Sequence, residues 1–264
     1  HDAYNPARVI DAAKHLLADA ATRCHAPDRT SEDNVHEIRK DLKKVRAYWR
    51  LMRYAIGKQH SKAGNERCKR AARQLAHARD HVVMLGTLDQ IAQDAKTKTA
   101  VAVGQAKQAM HEQTNTPPTA SIDWDNVAAL IRNDNAMWSS LDPQAIDPAD
   151  LKRGWKRTRN KARRYDKRSR KHADPETLHA WRKWAKRWLQ QEELLHPDKT
   201  DRIAQLDTLG DLLGLHHDLA VLKHRLWRND RFGGKPQRRV RKRIRKQQQS
   251  LEKQALKLGK QVFA

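Results

Sequence analysis

The sequence contains little that breaks a helix. Its 264 residues include only ten glycines and nine prolines, and no stretch alternates apolar and polar residues with period two, which argues against a sheet-rich fold. Cysteine is nearly absent. Cys24 and Cys68 are the only two, so neither a disulfide framework nor a cysteine-based zinc site can be assembled, and a reducing compartment is expected. No apolar run reaches the roughly 18 residues of a membrane span, and no apolar targeting segment stands out. The expectation is a soluble, cytoplasmic protein. Aromatic residues make up 5% of the chain, a low supply for a groove that stacks single-stranded bases. Negative charge is also short: 31 Asp and Glu face 55 Lys and Arg, for a net charge of +24. Such an excess points to a polyanionic partner, whether nucleic acid, an anionic membrane or a phosphate polymer.

What is present is helix-forming. Ala, Leu, Lys, Arg and Gln dominate, which predicts an all-α chain. Apolar periodicity places helices near 6–23, 33–57, 65–93, 95–112, 123–138, 149–171, 175–195, 201–229 and 236–262. Ser31 is placed to cap the second of these. Asp174 followed by Pro175 reads as an N-cap and a first-turn proline. The Thr- and Pro-rich segment 114–121 is the best linker, dividing one domain, 1–264, into halves 1–113 and 122–264.

The halves share motifs in the same order. Val35-His36-Glu37-Ile38-Arg39-Lys40 aligns with Leu178-His179-Ala180-Trp181-Arg182-Lys183. Further along, Arg79-Asp80 aligns with His217-Asp218 at a nearly equal offset. Two ordered matches predict a duplicated helical unit.

On a helical projection the repeated segment has two faces. With His36 at 0°, Arg39, Lys40, Lys43 and Arg50 fall within about 60° of it. Val35, Ile38, Leu42, Val45, Trp49, Met52 and Ile56 gather on the opposite side, as core residues should. His179, Arg182, Lys183 and Lys186 repeat the basic face, while Leu178, Trp181, Ala185 and Trp188 repeat the apolar one. Like charges on one face cost energy. Two cations about 6 Å apart repel by about 0.7 kcal/mol in water and about 3 kcal/mol at an effective dielectric of 20. One such stripe reads as an ordinary solvated face. Its repetition in both halves predicts a positive groove stabilised by a bound polyanion. Two further segments add charge: Lys152–Lys171 holds twelve basic residues and one acid, and Lys235–Lys246 holds eight and none. In the last helix Val240, Ile244, Leu251, Ala255, Leu258 and Val262 form an apolar seam.

The pattern His36-x-x-Arg39-x-x-x-Lys43-x-x-Arg46, its copy His179-x-x-Arg182-x-x-x-Lys186, and the later Arg79-Asp80 and Leu215-His-His217-Asp218-Leu-Ala-Val-Leu222 together resemble the CHAD family, the conserved-histidine α-helical domains. The resemblance covers nearly the whole chain. It implies two antiparallel helical bundles of four-helix type, related by a pseudo-twofold axis, with a central basic groove or channel that binds inorganic polyphosphate. It attaches no firm reaction, and it implies association with polyphosphate or other storage granules. The copies are not identical. The Arg after the first Lys falls on Leu189 in the second copy, the next position on Gln190, and the position of Arg79 on His217.

The expected polyphosphate ligands are the stripes His36, Arg39, Lys40, Lys43, Arg46, Arg50 and His179, Arg182, Lys183, Lys186, Arg187, with Arg73, Arg79, Lys152, Lys156, Arg159 and Arg163 as a second group. Arg offers bidentate donors to phosphate and Lys a mobile charge. The histidines either donate to phosphate or fix helix packing. Asp80 and Asp218 are expected to orient Arg or His side chains. No cofactor, metal site or catalytic constellation is expected: there is no His-Glu-x-x-His pair, no P-loop, and His216 and His217 are adjacent and so diverge on a helix. The competing reading is a protein that binds the nucleic-acid backbone. A His-dependent phosphate-handling enzyme is a more distant third.

Overall fold

The computed structural model describes residues 3–93, 95–112, 122–228 and 232–263, and of residues 77–82 only the backbone. The described residues form ten α-helices and no strand. These are α1 (Pro6–Cys24), α2 (Glu32–Leu51), α3 (Lys58–Gln74), α4 (Ala76–Ala92), α5 (Thr97–His111), α6 (Trp124–Ser139), α7 (Pro148–Lys171), α8 (Pro175–Leu195), α9 (Thr200–Trp227) and α10 (Gly234–Val262). None is long and apolar enough to cross a membrane.

Local chemistry starts several of them. Ser31 Oγ accepts from the Asn34 amide, and Asp174 accepts from the Thr177 amide with Pro175 in the first turn. Asn5 and Asp147 do the same ahead of Pro6 and Pro148. Two boundaries differ from the periodicity. α2 stops at Leu51, and the chain turns through Gly57, whose φ of 83° lies where only glycine is unstrained, so α3 begins at Lys58. The helix expected over 65–93 is interrupted at Leu75, and α3 and α4 flank it. One carbonyl left open by that break, on Ala72, accepts from the Arg39 guanidinium at 2.7 Å.

Three hydrophobic cores result. The first lies between α1, α2, α3 and α6, with Leu151 of α7 and Leu194 and Leu195 of α8 at its edge. The second joins α4 and α5 to the later part of α9 and to Val240, Ile244 and Leu251 of α10. The third joins α7, α8, the start of α9 and the end of α10. The packing therefore does not follow chain order. α6 comes after the 114–121 segment yet closes on α1 and α3, and α4 and α5 come before it yet pack with α9 and α10. Residues 114–121 lie outside the described residues.

Buried carboxylates pin the large aromatics. Asp134, fully buried on α6, accepts from Trp49 Nε1 at 2.8 Å, Arg67 Nε at 2.8 Å and Cys68 Sγ at 3.2 Å. Glu192 on α8 plays a similar part, accepting from Trp188 Nε1 at 2.6 Å and Trp155 Nε1 at 3.0 Å. Each such group is tolerated inside only because donors surround it.

Candidate polyanion-binding site

The three helices that carry most of the expected ligands meet. α2 packs against both α7 and α8. Two contacts set how closely. Gln191 of α8 donates from Nε2 to the Ala47 carbonyl of α2 at 2.9 Å, in the interior. Gly154 of α7 lies so near Leu51 that a Cβ there would stand 1.9 Å from the Leu51 carbonyl oxygen. Small residues on this side of α7, Gly154, Thr158 and Ala162, mark the buried face.

At this junction three guanidiniums surround one indole. Arg187 of α8 lies 4.6 Å from the ring centroid of Trp184, Arg50 of α2 lies 5.5 Å away, and Arg157 of α7 lies 5.9 Å away. The Trp184 face offers each cation partial compensation, but among the described residues no carboxylate is paired with Arg50 or Arg187. Burial, followed by the charges of Arg50, Arg46 and Arg157, pushes Arg187 down to about 9. Burial, followed by Arg46 and Arg157, pushes Arg50 down to about 10. Lys183 is lowered by burial and then by Arg187, Arg46 and Lys69. Arg46 is lowered mainly by burial, and its Nε donates to the neutral Asn65 Oδ1 at 3.2 Å. The carboxylate close by is Glu66, bonded to Lys69 at 3.2 Å and held below the usual carboxylate range against its own desolvation by Lys69, Arg46 and Arg73. Cations gathered from four helices thus raise one another's energy. Among the described residues, Arg50 Nε and Arg182 Nε are buried without an acceptor, a costly arrangement for a donor.

A second feature adjoins the first. His179 of α8 stacks on His217 of α9, with ring centroids 4.1 Å apart. Burial, then His217, Lys183, Arg182 and Arg187, lowers His179 to about 4. His217 is lowered by burial and Arg182, with Asp218 pulling the other way. Both rings are thereby biased toward the neutral form, and among the described residues His179 Nδ1 is buried without a partner.

Nothing among the described residues groups three His, Cys, Asp or Glu side chains so as to hold a metal. The arrangement can bind anions through Arg, Lys and neutral imidazole donors. A model of the CHAD domain matches residues 11–227.

The chain belongs to the CHAD family.

No curated protein and no solved structure matches it significantly. Within this CHAD chain the expected ligands fall into distinct groups. Arg46, Arg50, Lys183 and Arg187 converge at the α2–α7–α8 junction. Arg73 is exposed at the end of α3 and acts on Arg46 through its charge. His36 is half-buried and Lys43 exposed, both on α2. Arg39 is engaged with Ala72. Lys40 turns to Glu37 at 3.1 Å, and Lys186 is held by Asp207 and Asp211 of α9, each at 3.0 Å. On α7, Lys152 and Arg163 are exposed. Lys156 lines an open cavity of about 420 Å³ with Arg157, Lys161 and Tyr54. Arg159 turns to the other side of α7, over Trp155 at 6.0 Å and Trp188 at 5.9 Å. The Arg79 and Asp80 side chains lie outside the described residues.

Sequence reasoning missed Arg157 and Trp184. For Arg157 a signal existed: it follows Gly154 by three residues, on the side where α7 comes closest to α2. Trp184 lies next to Lys183 and one turn before Arg187, between the basic and apolar faces of α8. Leu189, where the second motif departs from the first, is buried in the third core.

Proposed function

We propose that this CHAD chain binds inorganic polyphosphate, without turning it over, at the junction of α2, α7 and α8. The carrying observation is the set of half-buried cations around Trp184, namely Arg50, Arg157 and Arg187, which form no ion pair among the described residues and whose charges disfavour one another. Polyphosphate carries charge on every repeat and offers no base for readout, so it suits a site rich in guanidinium and poor in exposed aromatics. A bound chain would accept from the guanidinium groups of Arg50, Arg157 and Arg187 and relieve the repulsion among the cations. In this reading the His36 and His179 copies form the two walls of one groove, halves related by pseudo-twofold symmetry. Cytoplasmic residence and association with storage granules belong to the same proposal.

Calorimetry against polyphosphate tests it. Arg187→Gln removes a cation that the fold tolerates poorly. It is expected to raise the melting temperature of the unliganded protein and to weaken polyphosphate binding about tenfold or more, the scale of one charge-assisted contact. Lys186→Gln, whose cation already has two carboxylates, is expected to change binding far less. Equal effects of the two substitutions, or no binding by the unaltered protein, would refute the site.

A further inference from the structure

The family match ends at Trp227, and α10 lies beyond it. The first half of this 29-residue helix is its most basic part. Val240, Ile244 and Leu251 are buried against α9 and the second core. Taking Val240 as 0°, Arg238, Arg241 and Arg245 fall between about 100° and 160°, and Arg239, Lys242 and Lys246 fall between about 200° and 260°. All six are exposed, and among the described residues no carboxylate pairs with any of them. Arg241 additionally lies over Trp227 at 5.2 Å. The surface is therefore a convex rod, cationic on both flanks.

Shape separates this surface from the junction of α2, α7 and α8. That site is an inward-facing cluster between helices, suited to a thin chain threaded among the cations. A thin polyphosphate chain laid along α10 would meet the inner edges of the two flanks, at Arg238 and Lys242, and leave the outer cations, Arg241 and Arg239, facing water. A concave polyanion with charged walls on two sides uses the whole arc, about 160°, that the six cations cover. A helix with its side chains is about 10–12 Å across, and the major groove of duplex DNA is about 12 Å wide with a phosphate backbone on each side. The basic part, 235–246, spans roughly 18 Å at about 1.5 Å per residue. Residues 234–250 contain no aromatic side chain, and the neighbouring Trp227 ring is covered by Arg241, so the surface has no row of platforms for the unstacked bases of a single strand.

We propose that the outward face of α10 over 238–246 is a second, separate binding surface, and that its partner is duplex nucleic acid, gripped through both backbones of a major groove. Contacts to the two backbones carry the affinity, and such contacts hold no sequence information. The reading stands on α10 alone and does not depend on the polyphosphate site.

Fluorescence anisotropy with a labelled duplex of about 20 base pairs, roughly two helical turns, tests it on the full chain. One variant replaces Arg238, Arg241 and Arg245 with Gln, and another replaces Arg239, Lys242 and Lys246 with Gln. Each is expected to weaken duplex binding at least tenfold at moderate salt, and to lower the slope of log affinity on log salt by about 3. Polyphosphate affinity should stay within about twofold. The variant Arg46→Gln/Arg50→Gln/Arg187→Gln should show the reverse pattern. Because the α10 side chains are exposed, helicity by circular dichroism should not change. Insensitivity of duplex binding to both triple variants would overturn the proposal. So would sensitivity to one flank only, a parallel fall in polyphosphate affinity, or equal affinity for a single strand of the same length. Duplex binding by an unaltered protein that does not bind polyphosphate would overturn the other proposal and leave this one standing.

Discussion

Arg187 and Lys186 are neighbours in sequence and opposite in circumstance. Lys186 is neutralised by Asp207 and Asp211, whereas Arg187 shares a half-buried space with Arg50, Arg46 and Arg157. A helix turns by 100° per residue, so adjacent cations face different neighbours. His179 shows how the same crowding acts on a titrating group. Its folded-state value is about 4, below the ordinary 6.5, because burial and then His217, Lys183, Arg182 and Arg187 disfavour the imidazolium. The neutral ring suits the fold, so its contribution is complete above about pH 6.5. Between 6.5 and 4 the unfolded chain takes up a proton that the folded chain refuses, so stability falls as pH falls through that window. Urea unfolding of the unliganded protein should therefore show lower stability at pH 5 than at pH 7. His179→Gln should show a smaller difference, though not none, because His216 and His217 are lowered in the same direction. An undiminished difference in the variant would mean that His179 does not carry it.

At the scale of elements, the site depends on how near α7 comes to α2. Gly154 permits that approach, since any Cβ would stand 1.9 Å from the Leu51 carbonyl oxygen, which is rigid backbone. Gly154→Ala is therefore expected to force α7 away. A stability loss of about 1–3 kcal/mol should follow, as for other overpacked interiors, against a gain in helix propensity of at most about 1 kcal/mol. Arg157 would move with α7, away from Trp184, so polyphosphate affinity should fall as well. Chemical denaturation and calorimetry on the same variant check both outcomes. An alanine there that is neutral or stabilising would mean that the helices are less tightly packed than described. Element boundaries followed similar local rules. The caps at Ser31 and Asp174 could be read directly, because the capping side chain and the amide it serves are three residues apart. The break at Leu75 could not, because the partner of the freed Ala72 carbonyl is Arg39, on another helix.

For the whole molecule, the net charge of +24 opposes compaction. Salt should then act in opposite directions on the free and bound protein. Raising ionic strength from about 0.05 M to 0.5 M shortens the screening length from over 10 Å to a few Å. The melting temperature of the unliganded protein should rise with it, while the added stabilisation by polyphosphate shrinks as counterion release loses its advantage. Differential scanning calorimetry with and without ligand measures both. A stabilisation indifferent to salt would be inconsistent with a mainly electrostatic complex.

The sequence by itself determined that the chain is helical and which side of α2 and α8 enters the core, because hydrophobic periodicity is a property of one helix. Val35, Ile38, Leu42, Val45 and Trp49 on α2, and Leu178, Trp181, Ala185 and Trp188 on α8, are all buried as that periodicity requires. It also located the cations and carried the family motif. Only the tertiary structure decided which cations meet. Arg50, Arg157 and Arg187 come from three helices, and their convergence on Trp184 depends on the packing of α7 against α2 through Gly154. The pairing of Lys186 with α9 and of Arg39 with α3 depends likewise on rotations and contacts between helices. A linear pattern specifies the face of a helix, but the partner of that face is set by long-range burial, to which every other helix contributes.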